Sequence, residues 1–245
     1  METIINISEN PHDLAAGLAG ELSEMINRAA FRKRPVTIAL SGGSSPRLLF
    51  STLGDNYSAN TDWNYVHFFW GDERCVPPDD AESNFGATKI ALLDKIKIPR
   101  ANIHRIKGEA VPEREAVRYS GEIKKIVRSG NNLPVFDLII LGLGEDGHTA
   151  SIFPQNRELL FSDKIYEVAV HPLSGQKRVT ITGPVINNAD KIVFLVTGAG
   201  KAKIVADIIE KPGEVSYPAA AIEPSHGILK WHLDLEAASM LSQWA

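Results

Sequence analysis

Residues Asp137–Pro154 read DLIILGLGEDGHTASIFP, and the punctuation of this stretch decides how the whole chain is read. Leu138-Ile139-Ile140-Leu141 is a short, branched apolar run, the pattern of a strand buried on both faces. Glycines at 142, 144 and 147 then break the strand and admit backbone angles that other residues resist. Asp146 and His148 stand at that break, and Thr149, Ala150 and Ser151 after them read as a helix start. An acid and an imidazole at the carboxyl end of a buried strand occupy the place where open α/β sheets bind ligands.

Working outward, three more strands run into loops of interest. Val36–Leu40 leads into SGGSSP (Ser41–Pro46), followed by a helix from near Pro46 that carries Leu48, Leu49 and Leu53. Strand, small-residue loop and helix is the arrangement in which backbone amides and a helix terminus receive a phosphate. An ordinary βα turn has the same composition, and no Gly-Lys-Ser/Thr closes the loop as in a Walker motif. Tyr65–Trp70 ends in GDERCVP (Gly71–Pro77), where Asp72 and Arg74 are placed to enter the same crevice, the alternative being a salt-bridged surface loop. His67, inside that strand, reads as a structural histidine. Ile192–Val196 runs into TGAGK (Thr197–Lys201), and Lys201 suits either a phosphate or solvent.

The remaining segments alternate in the same way. Ile4, Ile5 and Ile7 suggest a first strand, and Asn10 caps a helix that keeps its apolar spacing to about Ala30. Arg32-Lys33-Arg34 then reads as a solvated helix end. Asn84–Ile98 is expected to be helical with Ile90 and Leu93 inward, and a charged amphipathic helix from Pro112 ends at Ser129–Asn132. Tyr166–Val170 and Arg178–Thr182 read as strands, and a last helix carries Leu235 and Leu241. No linker, repeat or low-complexity segment interrupts residues 1–245, which are expected to form one domain.

Composition narrows the class. The chain has 245 residues, 44% hydrophobic and 23% charged, which is ordinary for a globular protein with a sizeable core. Cys75 is the only cysteine, which excludes an internal disulfide and any multi-cysteine metal site. A net charge of -4 argues against a general nucleic-acid binder. The opening METIINISENPHD lacks the basic start and apolar core of a signal peptide, and no apolar run approaches the roughly 20 residues that span a bilayer, so the expected location is cytoplasmic, with no membrane partner.

One motif misleads. Gly142-Leu143-Gly144-Glu145-Asp146-Gly147 is formally a G-x-G-x-x-G after a strand, with Glu167 about 20 residues on, as a dinucleotide fingerprint requires. Glu145 and Asp146, however, put negative charge where a pyrophosphate would meet the backbone. The match also lies mid-chain rather than in a first βαβ unit. A nicotinamide enzyme is therefore disfavoured.

Taken together, SGGSSP, WGDERCVP (Trp70–Pro77) with Ser83-Asn84, GLGEDGHTASIFP (Gly142–Pro154), Arg178 opening RVTIT, and TGAGKA (Thr197–Ala202) resemble the 6-phosphogluconolactonase family, within the glucosamine-6-phosphate isomerase/deaminase superfamily. The resemblance covers nearly the whole chain. It implies an α/β, modified Rossmann-type three-layer fold with a mostly parallel central sheet and helices on both faces. It also implies hydrolysis of 6-phosphogluconolactone to 6-phosphogluconate in the oxidative pentose phosphate route, with no cofactor and no metal. By the same resemblance His148 is the general base on water, and Asp146 orients it or the substrate. Arg74, Arg178 and Lys201 hold phosphate and sugar oxygens, amides of Gly42, Gly43 and Ser44 line the site, and Asp72 lies near the substrate. Deaminases of the superfamily carry a glutamate seven residues beyond the aspartate of Asp-Gly-His; here that position is Phe153. Deamination is the alternative, and a non-catalytic sugar-phosphate-binding regulator a third reading, one that would not need the Asp146/His148 pair. The expected partner is a small sugar-phosphate lactone, with the protein a monomer or a small homo-oligomer.

Overall fold

The computed structural model describes residues 2–242. The chain begins with β1 (Glu2–Ser8), α1 (Pro11–Phe31), β2 (Val36–Leu40), α2 (Ser44–Asn56), β3 (Val66–Trp70) and β4 (Asp72–Arg74). Next come α3 (Asn84–Thr88), β5 (Ile103–His104), α4 (Pro112–Ile126), β6 (Ser129–Gly130), β7 (Leu133–Pro134) and β8 (Leu138–Leu141). The last part holds β9 (Tyr166–Val170), β10 (Lys177–Ile181), α5 (Gly183–Asn187), β11 (Lys191–Val196), α6 (Ala202–Glu210), β12 (Ile228–Asp234) and α7 (Leu235–Ala238). Asn10 caps α1 as its sequence position requires: its Oδ1 accepts from the amides of His12 and Asp13 at 2.9 and 3.0 Å.

Seven strands form one sheet in the order β1-β12-β11-β8-β2-β3-β5. Every pair in it is parallel. Parallel strands need crossovers, and crossovers are right-handed almost without exception. Steps from β1 to β2 and from β2 to β3 run one way along the sheet; steps from β5 to β8 and from β11 to β12 run the other. The same handedness therefore sends α1 and α2 to one face and α4 and α6 to the opposite face. This is the three-layer α/β architecture that the family resemblance implies. Buried on both faces, β2 and β8 are apolar throughout apart from Thr37. Phe194 and Trp231 stack with ring centres 4.2 Å apart, within a core cluster that includes residues from Leu14 to Leu241.

The direction of winding reverses between β2 and β8, so their carboxyl-end loops diverge and leave a crevice. A separate antiparallel sheet, β4-β10-β9, roofs one side of it. Gly71 is the splice: its amide donates to the carbonyl of Leu40 in β2, and its carbonyl accepts from Ile181 in β10.

Four local expectations are corrected. Thr149–Ser151 do not start a helix: Ala150 sits at φ +48°, and Thr149 bridges Ile152 in a tight turn before a 3-10 segment at Pro154–Leu160. The turn is imposed from outside, because the Thr149 hydroxyl donates to the carbonyl of Gly142 and Ser151 is drawn to Asp72. The helix from Asn84 stops at Leu93, and its second half has π geometry. That wider turn shifts the register, so Leu93 is buried but Ile90 is 73% exposed. Helix α4 ends at Ile126, and Ser129–Pro134 form a hairpin whose Asn131 and Asn132 take φ of +52° and +64°, as a two-residue turn of this hand requires. The last helix is a single turn: Leu235 is exposed, while Leu241 beyond it is buried. His67 meets the structural reading, with its Nδ1 3.0 Å from Nε2 of His104 and the two rings stacked. Glu167 on β9, the acid of the apparent dinucleotide fingerprint, instead pairs with Lys164 and Ser162 just before that strand.

Candidate active site

The crevice is a cleft of about 270 Å³ lined by Gly42, Gly43, Ser44, Asp72, Arg74, Asn84, Gly144, His148, Arg178 and Lys201, among others. Of the site residues read from sequence, only Asp146 is outside this lining; it lies behind His148.

The loop after β8 forms the corner of the cleft that carries Asp146 and His148. Gly144 N–H donates to the carbonyl of His148, and Gly147 N–H to that of Gly144, closing a compact turn. Inside it, Nδ1 of His148 is 2.5 Å from Oδ1 of Asp146, which leaves Nε2 for the cleft. A Cβ on Gly144 would fall 2.1 Å from His148 Nδ1, so only glycine lets the backbone pass beneath this pair. Burial pushes the Asp146 carboxyl up, but the hydrogen bond and charge of His148 outweigh it and leave it below its ordinary value. Phe153, fully buried, packs on the other side of the imidazole with ring centres 4.7 Å apart.

The wall opposite comes from three loops. Helix α2 opens beneath the cleft with Gly43 at φ +108°, and its first turn, whose amides have no partner within the helix, lines the cavity. A Cβ on Gly42 would lie 1.8 Å from Oδ1 of Asn84, which packs directly over that loop. Ser45 Oγ and Thr197 Oγ1, 2.7 Å apart, tie α2 to the loop after β11. Asp234 accepts the amide of Gly198 at 3.0 Å and so anchors the turn that delivers Lys201. Burial lowers the Lys201 ammonium from its ordinary value, and Glu145 approaches to only 3.9 Å.

Arg74 and Arg178 face one another directly across the β4–β10 ladder. Like charges opposite each other in a ladder repel, and the Nε of each is buried without a hydrogen-bond partner among the described residues. Burial lowers the Arg178 guanidinium from its ordinary value. Arg74 donates through one terminal nitrogen to the carbonyl of Glu82, and the two guanidinium groups, each with an unpartnered Nε, suit a planar or tetrahedral anion between them. Asp72 is only 4% exposed; its Oδ2 accepts from Ser151 Oγ at 2.6 Å, and Nδ2 of Asn84 lies 3.3 Å from its Oδ1. Glu73 points away from the cleft and accepts from the amides of Arg74, Asn84 and Phe85 and from the Ser83 hydroxyl, fixing the loop that carries Asn84.

Sequence reading passed over Asn84, Ser45, Thr197 and Ser151 as site residues. All four lie inside the quoted motifs, but only the pairing of distant loops shows what they touch.

An α/β protein with a cationic cleft at its topological switch point and an Asp–His pair at the floor belongs among enzymes that act on small anionic substrates. The family model described as glucosamine-6-phosphate isomerases/6-phosphogluconolactonase matches residues 9–231, and the chain belongs to that family. It is 46% identical over 210 residues to a 6-phosphogluconolactonase of Aggregatibacter actinomycetemcomitans, covering 84% of this chain and 88% of that one. Among solved structures, the devB protein superposes with a TM-score of 0.92 at 42% identity, over 97% of this chain and 98% of the other. The 6-phosphogluconolactonase of Trypanosoma brucei superposes with a TM-score of 0.88 at 29% identity, over 98% and 99%.

Proposed function

We propose that this chain, working as one domain over residues 1–245, hydrolyses 6-phospho-D-glucono-1,5-lactone to 6-phospho-D-gluconate in the oxidative pentose phosphate route, with His148 as general base. The observation that carries the catalytic assignment is the 2.5 Å contact of His148 Nδ1 with Asp146 at the floor of a cleft walled by Arg74, Arg178 and Lys201. The carboxylate holds the imidazole in the tautomer whose Nε2 is a free acceptor toward the cleft.

Water attacks the lactone carbonyl carbon as Nε2 takes its proton. The carbonyl π pair moves onto oxygen, giving a tetrahedral oxyanion stabilised by the donors and cations of the wall. Collapse re-forms the carbonyl and breaks the bond from that carbon to the ring oxygen, which receives the proton from the imidazolium. The product is an open-chain acid that ionises to the carboxylate, and His148 is neutral again. Arg74, Arg178 and Lys201 hold phosphate and sugar oxygens with the amides of Gly42, Gly43 and Ser44, while Asp72 lies beside the substrate. These steps use side chains, backbone and water only. Phe153 supports this reading over deamination, since an apolar ring packs against the imidazole where a deaminase carries its glutamate. The reading entails a cytoplasmic protein with a small-molecule partner, neither nucleic acid nor membrane, acting as a monomer or small homo-oligomer.

The test follows loss of freshly made lactone with and without enzyme, beside ammonia release from glucosamine 6-phosphate. Lactone loss above the spontaneous rate, no ammonia, and a fall of about 10²–10⁴-fold in kcat for His148→Ala are expected. Ammonia release without lactone turnover, or a fully active His148→Ala enzyme, overturns it.

A further inference from the structure

Beneath the roof of the cleft, a carboxylate and a guanidinium stop short of each other. Asp72 Oδ2 lies 4.0 Å from the Arg178 NH1 atom, with both side chains nearly buried. At such separations an aspartate and an arginine ordinarily close to a hydrogen-bonded pair at about 2.7–2.9 Å, because the guanidinium fork matches the carboxylate. Closure would satisfy part of Arg178, whose Nε is buried with no partner among the described residues. Something holds them apart.

The restraint is Ser151. Its hydroxyl donates to that same Oδ2 at 2.6 Å, and Asn84 approaches the other carboxylate oxygen. Ser151 is in turn fixed from below: its amide donates to Thr180 Oγ1 at 3.1 Å, and Thr180 sits opposite Asp72 in the β4–β10 ladder. Ser151 is fully buried and outside the cleft lining, so its hydroxyl acts on the cleft only through Asp72. Arg178 is steadied instead by the Phe153 ring, with its guanidinium carbon 5.6 Å from the ring centre.

We propose that Ser151 is a positioning residue for substrate binding: its hydroxyl holds the Asp72 carboxylate one contact short of Arg178 and so keeps that guanidinium free for the substrate's anionic oxygens. This rests on the reading above that Arg178 binds the substrate. Without the hydroxyl, Asp72 loses the donor on Oδ2 and swings to Arg178, and substrate must break an internal ion pair before it binds. The apparent affinity then falls by the fraction of molecules in which Arg178 stays open.

A double-mutant cycle tests this with Ser151→Ala, Asp72→Asn and the combined variant, measuring lactone kcat and KM, and inorganic phosphate affinity by calorimetry. Ser151→Ala is expected to raise KM and weaken phosphate binding roughly five- to twentyfold, with a smaller change in kcat. On the Asp72→Asn background, where no charge can close on Arg178, the same substitution is expected to change either quantity by less than about twofold. Ser151→Cys, nearly isosteric with a weaker donor, is expected to move both in the same direction by less, and serves in place of Ser151→Ala if that variant does not fold. An equal effect of Ser151→Ala on both backgrounds, or a loss in kcat with KM and phosphate affinity unchanged, overturns the proposal. Absence of lactone turnover in the unaltered protein would overturn the proposed function instead, while the phosphate titrations still decide the role of Ser151.

Discussion

Oδ1 of Asp146 meets His148 twice: it lies 2.5 Å from the ring Nδ1 and accepts the backbone amide at 3.2 Å. One carboxylate oxygen therefore sets both the ring orientation and the turn that carries it. Asp146→Asn keeps the shape but offers an amide where the imidazole needs an anionic acceptor. A fall of about a hundredfold or more in kcat with little change in KM is expected, read from steady-state kinetics on the lactone.

The same contact has a consequence for acid stability. His148 holds the Asp146 carboxyl below its ordinary value of 3.8 despite burial. A group depressed on folding contributes stability that is present above its unfolded pKa and lost as pH falls through the folded one. Between pH 5 and pH 3, Asp146→Asn should therefore lose less stability than the unaltered protein, as measured by urea unfolding. Parallel acid limbs would show that the pairing does not stabilise the fold.

Gly144 is a separate point of control. A Cβ there would stand 2.1 Å from His148 Nδ1 and 2.6 Å from Asp146 Oδ1. Gly144→Ala must push the pair out of place, and a displacement of about 1 Å at a reacting group costs roughly a hundredfold in rate. The expected enzyme is folded, with a near-unchanged circular dichroism spectrum, and catalytically crippled.

Phe153 is buried between His148, His171 and the Arg178 guanidinium. Truncation to alanine removes the packing and leaves a cavity, for which about 3–5 kcal/mol of stability is expected to be lost. Urea unfolding measures that loss. Because two site residues rest on the ring, kcat and KM should both worsen, which a remote core cavity would not produce.

Cys75, next to the arginine of the cleft, is not a reactive thiol. Burial, with Glu73 nearby, pushes it up to about 11. At pH 8 only about one molecule in a thousand carries the thiolate, the species that reacts with alkylating agents. Iodoacetamide labelling of the native protein should be slow at neutral pH and rise about tenfold per pH unit toward the alkaline range, while denatured protein labels readily.

The local pattern of the chain determined a good deal. Apolar runs such as Leu138–Leu141 and Ile192–Val196, each running into a glycine-containing loop, marked the strands and the ends at which chemistry gathers. A capping Asn10 marked the first long helix. These signals are short-range, carried by backbone freedom and side-chain periodicity within a few residues, so they survive without knowledge of partners. Phe153 against the superfamily's glutamate was legible too, as a single substitution in a recognised motif. Tertiary structure decided which side chains meet. That Arg74 faces Arg178, that Ser151 fastens on Asp72, and that Asn84 lies over Gly42 all depend on contacts between distant segments, set by sheet pairing and crossover hand rather than by any local preference. Long-range contacts also turned Thr149–Ser151 from an expected helix start into a tight turn, while the π turn at Lys89–Leu93 left Ile90 facing solvent. A neighbour far along the chain outbids local propensity because its hydrogen bonds and buried surface are worth more than the few tenths of a kcal/mol by which one residue prefers one backbone state to another.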